Sequence, residues 1–379
     1  MERRAYESGA LDGLVVVDFS RVLAGPYATM MLGDFGADVI KIERPQVGDD
    51  TREWGPPYDS EGVATYFNAV NRNKRSVVLD LTDPADQQRA RELVATADIV
   101  VENFRAGTME KFGLDYETMR ASKPDLIYCS ITGFGRERGA ALPGYDLLVQ
   151  AVGGLMSVTG PGPDEPTKAG VAFVDVLAGL HALSRDPGRA GPPRPNRTRP
   201  ASRHRPALQC CCRHWSIRHP ATWAPARCPA SWATATRALR HIETFPTADR
   251  PIALAVGNDK QFRLLSRGRE SAMAGRRLQV RVQPATGPQS RCPSPKHSAR
   301  SSRPAAPTTG TRHSQRSGVP AGPINNIAEA FTFAEQLGLT VSVPVPASAT
   351  PQVANPISLS ETPVSYRSAP PPLGDATSA

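Results

Sequence analysis

The chain has 379 residues, 40% of them apolar, enough to bury the core of one large domain or two ordinary ones and to shape a small-molecule site. Its formal charge of +9 is unevenly spread: residues 187–242 hold 11 Arg and no acid, residues 266–316 hold 10 Arg, Lys296 and Glu270, and the rest holds 23 basic against 35 acidic side chains. A net-acidic chain with two basic interruptions is not a nucleic-acid binder, and with no apolar leader after Met1 and no run of roughly 18 apolar residues the expectation is a soluble, cytoplasmic protein with no membrane partner.

Residues 1–186 alternate short apolar runs with helix-like stretches, the pattern of a parallel α/β sheet. Five strands are predicted in chain order: Leu14 to Phe19, Asp38 to Glu43, Ser76 to Leu81, Asp98 to Phe104 and Leu126 to Thr132. Between the third and fourth, Asp83 predicts a helix cap, with Pro84 in the first turn, Asp86 near the positive end, and Ala90, Leu93 and Val94 as the apolar face. The arrangement is a doubly wound, Rossmann-like fold, whose ligands bind outside the carboxyl ends of the strands, here the loops after Phe19, Glu43, Leu81, Phe104 and Thr132.

After Asp186 the pattern stops, returns from Glu243 to Leu265, and returns again from Gly318, where a turn and a helix are predicted up to Gly338. The Pro-rich run from Pro351 to Gly374 reads as an extended segment lying along a partner surface. The two basic blocks show neither helical nor strand period, and they hold Cys210, Cys211, Cys212, Cys228 and Cys292 together with Trp215, Trp223 and Trp232. Two explanations stand: natural disordered inserts, or GC-rich coding DNA read in a shifted frame, which the abrupt boundaries favour.

Several strings fall in the order and at the separations of the family III CoA-transferases (CaiB/BaiF type). They are DFSRVLAGPYATMMLGDFGADVIKIERP from Asp18, GDDTR from Gly48, NRNKRSVVLDL from Asn71, VENFRAG from Val101, GFG at Gly133, GYD at Gly144 and VDVLAGLHA from Val174. FPTAD from Phe245, GVPAGPIN from Gly318 and the late Tyr366-Arg367 with APPPLG complete the set. The chain resembles that family over nearly all of residues 11–183 and in three later pieces. The resemblance implies transfer of CoA from an acyl-CoA to a carboxylic acid, with those two substrates as the ligands. It implies a carboxylate nucleophile at Asp175, the Asp that starts a small-residue helix; by itself such an Asp would read as a helix cap. No permanently bound cofactor and no metal are implied, because a carboxylate that attacks a thioester needs neither.

By the same resemblance Arg44 meets the adenine and phosphates of CoA, and Leu23, Ala24, Leu79, Thr82, Asn103, Phe104, Arg105 and Lys111 line the rest of its site, with Tyr145 beside the reacting centre. Arg44, Lys74, Arg75 and Lys111 also fit solvated surface charges. Racemases of the superfamily carry a His where this chain has Tyr145, and a phenol near pKa 10 is a poor base at neutral pH, which argues for transfer. Three consecutive cysteines at 210–212 with His214 and His219 lack paired metal-ligand spacing, and Gly160 to Pro166 is a turn and no phosphate-binding fingerprint.

The resemblance further implies an interlaced homodimer, a smaller domain beginning at 243–265, and a C-terminal segment, 317–379, that returns to the CoA-binding domain of 1–186. The basic blocks stand where relatives place a continued apolar helix, a glycine-rich closing loop and the small domain's helices. Two alternatives therefore accompany the transferase: a degenerate relative that only binds CoA, and a 2-methylacyl-CoA racemase-like enzyme.

Overall fold

The computed structural model describes residues 9–142, 144–156, 159–161, 165–183, 202–206, 242–245, 252–255, 321–357, 359 and 362–376. They fall into two compact units, Met1–Ser231 with Gly338–Ala379, and Trp232–Leu337.

The larger unit is built on a six-stranded parallel sheet. Its strands are β1 (Val15–Asp18), β2 (Asp38–Glu43), β3 (Lys74–Val78), β4 (Ile99–Glu102), β5 (Ile127–Thr132) and β6 (Ser202–Pro206), in the spatial order β3-β2-β1-β4-β5-β6. The order reverses between β1 and β4, which makes their carboxyl ends the topological switch point. Alternate residues serve opposite faces, as the pleat requires. Val16, Val39, Ile99 and Val101 pack under α1 (Ala24–Asp34), α6 (Asp146–Val152) and α7 (Phe173–Leu183). Val17, Ile40, Val77 and Val100 pack under α3 (Pro84–Thr96), α4 (Thr108–Lys111) and α5 (Tyr116–Ser122). A sheet covered on both faces needs apolar residues at both parities, hence the near-continuous runs.

Four predicted strands match to within one or two residues at each end. The third lies earlier, at β3, because Lys74 and Arg75 enter the ladder. Lys74 is fully buried against Asp18 at 3.1 Å, and Arg75 pairs with Asp38 on β2 at 2.6 Å. The capped helix is α3: Asp83 accepts the Ala85 amide at 3.2 Å, and Ala90 and Val94 are buried. The absence of any strand in 187–242 is corrected by β6, in register with β5 from Tyr128↔Ser202 to Thr132↔Pro206. Parallel pairing is a backbone interaction, so it does not require apolar alternation; Pro206 is tolerated at the sheet edge. The other residues of both basic blocks lie outside the described set, except Ile242.

From Gly338 on, the C-terminal segment returns to the unit that holds residues 1–231, as the resemblance implied, so the Pro-rich tail lies on its own unit and not on a partner surface. Arg367 donates to the carbonyls of Gly33 and Ala37 at 2.7 and 2.8 Å, Ser365 N–H to Asp34 O at 2.8 Å, and Ala376 N–H to Ser76 O at 2.9 Å. The tail thereby covers edge strand β3, whose free N–H and C=O groups would otherwise be open to another chain. A two-stranded ribbon, β10 (Ser342–Val343) with β11 (Gln352–Val353), belongs to the same unit.

In the second unit β7 (Ile242–Phe245), β8 (Ile252–Ala255) and β9 (Ala321–Pro323) form an antiparallel sheet. The helix predicted between Gly318 and Gly338 is α8 (Ile327–Gln336), started by a capping box between Asn326 and Glu329.

Candidate active site

The loops after β1 and β4 face each other across the switch point and are locked by one side chain. Asn103 accepts the Arg21 amide at 2.8 Å and donates to the Arg21 carbonyl at 2.7 Å, so it pairs with the opposite loop as a strand would. The Arg21 guanidinium then lies over the Phe104 ring, 4.8 Å from its centroid. Beneath the first loop lies a buried ionic network. Lys41 bonds Asp49 at 2.8 Å and the Ser20 carbonyl at 2.9 Å, while Asp18 accepts from Lys74, Thr29 and Ser20. Asp49 also accepts the amide of Val22, whose φ of +71° is a left-handed conformation that β-branched residues avoid. Burial costs these charges, but the partners win for Asp18, held below the carboxylate range, and for Asp49, held at about 2; Lys74 drops to about 8.

Helix α7 reaches the same place because of glycines. A Cβ on Gly179 would stand 2.6 Å from the carbonyl of Ala24, so only glycine lets α7 lie this close to the start of α1. Similarly, a Cβ on Gly133 would stand 2.4 Å from the Cα of Gly144, and this contact folds the loop after β5 back so that Tyr145 and Asp146 open α6 beside α7. The result is a cleft of about 220 Å³, lined by the β1 and β4 loops, by residues Ile131 to Gly135, by Tyr145 and, at its wall, by Asp175.

Asp175 sits in the first turn of α7. Burial, and then the negative charge of Asp146, raise its pKa to about 7. Asp146 accepts the amides of Val174 at 2.8 Å and Asp175 at 3.2 Å. From α2 (Thr65–Asn68), Tyr66 feels the Asp175 charge, and burial together with that charge raises its phenol; its ring meets Trp54 edge-on at 5.5 Å. Glu102, at the end of β4, is raised to about 7 by burial while it accepts the Phe104 amide at 2.8 Å.

The structure brings together seven of the residues singled out from sequence: Leu23, Ala24, Asn103, Phe104, Arg105, Tyr145 and Asp175 all line the cleft. Arg44 stands just outside, paired at 2.6 Å with Asp50, which does line it and which Arg21 also approaches at 3.6 Å. Leu79 is packed in the apolar cluster under α3, Thr82 is exposed with its hydroxyl on Asp80 at 2.7 Å, and Lys111 is exposed at the end of α4; none of the three lines the cleft. Sequence reasoning missed Asp146, Asp50, Tyr66, Trp54, Glu102 and the ionic network. GYD did point at Asp146, but only through its neighbour Tyr145. Among the described residues no group of His, Cys, Asp and Glu is placed to hold a metal, and no helix is long and apolar enough to cross a membrane. The cysteines at 210–212, with His214 and His219, lie outside the described residues.

The family model described as CoA-transferase family III matches residues 11–184 and 216–377. A succinate–glutarate CoA-transferase of Agrobacterium fabrum is 43% identical over 265 residues, 67% of this chain and 65% of that protein. A succinyl-CoA:glutarate CoA-transferase of Mus musculus is 47% identical over 173 residues, 45% of this chain and 39% of that protein. The chain therefore spans 65% and 39% of the lengths of these curated relatives. Among solved structures, a CAIB/BAIF family protein from Brucella suis superposes with a TM-score of 0.76 at 32% identity, over 98% of each chain.

Proposed function

The chain belongs to CoA-transferase family III, and from that premise we propose that it moves coenzyme A from an acyl-CoA to a carboxylic acid through the side chain of Asp175. The observation that carries this reading is a carboxylate held at about 7, in the first turn of a helix, on the wall of the cleft at the switch point. A carboxylate with so high a pKa is a better nucleophile than an exposed one, and it is largely ionised just above neutrality.

The carboxylate attacks the thioester carbonyl and expels CoA thiolate, giving a mixed anhydride. The thiolate attacks the aspartyl carbonyl, releasing the donor acid and leaving an aspartyl-CoA thioester. The acceptor carboxylate attacks that thioester, thiolate leaves again, and its attack on the acceptor's carbonyl returns Asp175 as a free carboxylate. No net proton or electron is exchanged. Arg21, Arg44 and Arg105 form a basic rim that suits the nucleotide phosphates, and the apolar wall from Leu23 to Phe104 suits the pantetheine arm. Tyr145, a poor base, fits this route and not the two-base proton transfer of a racemase.

Succinyl-CoA with glutarate is the substrate pair to test first, since one of these relatives is named a succinyl-CoA:glutarate CoA-transferase and the other a succinate–glutarate CoA-transferase. The proposal extends to a homodimer working in the cytoplasm with no permanently bound cofactor, and light scattering would settle the oligomer. In the direct experiment the protein is incubated with acyl-CoA, then with hydroxylamine or borohydride, and digested. The adduct should map to Asp175, and Asp175→Ala should abolish transfer while CoA binding persists. Transfer retained in that variant removes the central claim.

A further inference from the structure

A carboxylate in the first turn of a helix can serve the helix, reaching back to the free amides at its start and becoming a weaker base in doing so. In α7 that does not happen. The two amides at issue, of Val174 and Asp175, are taken by Asp146, a residue of another helix, at 2.8 and 3.2 Å. Ala172, which precedes α7, has no side-chain acceptor to offer. Asp146 is held from behind by Gln150, one turn along α6 and almost fully buried. The Gln150 amide donates to the second oxygen of Asp146 and to the Val171 carbonyl at 3.3 Å, and its oxygen accepts the Ala169 amide at 2.9 Å. Gln150 thus ties the approach to α7 and the α7 cap to one anchor. Asp146 does not line the cleft, whereas Asp175 does, and among the described residues no hydrogen-bond donor reaches the Asp175 carboxylate.

We propose that Asp146, supported by Gln150, is the positioning residue of the transfer centre: it satisfies the start of α7 in place of Asp175, leaving the Asp175 carboxylate uncapped, basic and turned to the cleft. The proposal rests on the reading of Asp175 as nucleophile and adds the reason why a helix-start Asp can act as one. Two effects of Asp146 act in the same direction. Its hydrogen bonds remove the donors that would stabilise the Asp175 anion, and its own charge opposes that anion. Of the other ionisable groups around Asp175, Tyr66 faces it from α2, Arg21 and Asp50 come from the loops after β1 and β2, and Arg105 and Tyr145 from the loops after β4 and β5.

The test uses the full chain and the Asp146→Asn variant, which keeps an oxygen for the two amides but removes the charge. The acid limb of kcat/KM should move down from about 7 but stop well short of the ordinary 3.8, because burial, the larger cause of the shift, remains. At pH 8 kcat should fall about tenfold, with KM for acyl-CoA within about twofold. Independently of turnover, the carboxyl carbon of Asp175 in protein labelled with [4-13C]aspartate, assigned by its loss in Asp175→Asn, should titrate at correspondingly lower pH. A titration midpoint and an acid limb both equal to the parent's would overturn the proposal. Gln150→Ala, which leaves the charge but frees it, should lower kcat at least about threefold at unchanged KM; an unchanged kcat is equally fatal. If the parent neither traps an adduct nor turns over while the Asp175 midpoint still falls in Asp146→Asn, the transferase reading fails and the positioning stands.

Discussion

Replacing Asp175 by Asn should make the protein more stable, and increasingly so as pH rises. Burial and the Asp146 charge lift Asp175 from 3.8 to about 7. Between those values the folded protein holds a proton that the unfolded chain has released, so the stability Asp175 contributes is complete below pH 4 and is lost as pH rises through about 7. At about 1.4 kcal/mol per pH unit the interval of roughly 3 units sets a ceiling near 4 kcal/mol. Asp175 lies on the wall of an open cleft and is half-buried, so solvent screening should reduce this to about 1–3 kcal/mol. Asn cannot ionise and escapes the loss. Urea unfolding of parent and variant, followed by tryptophan fluorescence from pH 5 to 8, gives the difference, in which the other titrating groups cancel. The variant's advantage should grow by on the order of 1 kcal/mol across that range and level off above it. An advantage that does not change with pH, or a variant less stable at pH 8, would refute the reasoning.

Arg44→Ala should weaken CoA binding about tenfold by calorimetry, less than a free guanidinium would lose, because Arg44 must first share or leave Asp50; if the contact is to the ribose phosphate, dephospho-CoA should bind parent and variant alike. Gly179→Ala places a Cβ 2.6 Å from the Ala24 carbonyl, a backbone atom that cannot swing away, so the thermal midpoint should fall by an amount worth about 1–3 kcal/mol, and transfer should fall with it as α7 is pushed off α1. Reading the coding DNA of 187–242 and 266–316 in its other frames should recover an apolar-periodic helix after Leu183, a glycine-containing loop before Phe245 and helices before Gly318. Stop codons or noise there, together with turnover by the purified chain, would show the basic blocks to be genuine inserts.

The sheet was legible because a parallel strand buried on both faces has to be apolar at both parities, and LVVVDF, DIVVENF and LIYCSIT could hardly be anything else. The prediction slipped where charge replaced apolarity. Lys74 reads as a polar residue ahead of a strand until Asp18, fifty-six positions earlier, is seen to neutralise it. Strand β6 escaped for a related reason: Ser202 to Pro206 joins the sheet through backbone bonds to β5, which no side-chain period announces. The tail could be read as extended from its prolines, and the family strings implied its return to the large domain, but its points of attachment could not be read, because they are carbonyls of Gly33 and Ala37 and the side chain of Asn73, groups without a pattern of their own.

At the site, the residues found from sequence are those that family strings mark one by one, and the residues missed are those whose meaning is a distance. Asp146 is one place after Tyr145 and twenty-nine before Asp175, and nothing local says that its carboxylate closes the other helix. The same holds for Val22, strained at φ +71° and steadied by Asp49, which is itself fixed by Lys41. The strain is in the loop that carries Leu23 and Ala24 to the mouth of the cleft, and a fully buried ion pair sustains it. Buried pairs of this kind contribute little net stability against an apolar replacement, yet losing one partner strands the other. Their use here is geometric. They hold a loop in a conformation its own sequence disfavours, and on the proposal above α6 likewise leaves the Asp175 carboxylate free of its helix, so in both places a distant side chain overrules a local preference.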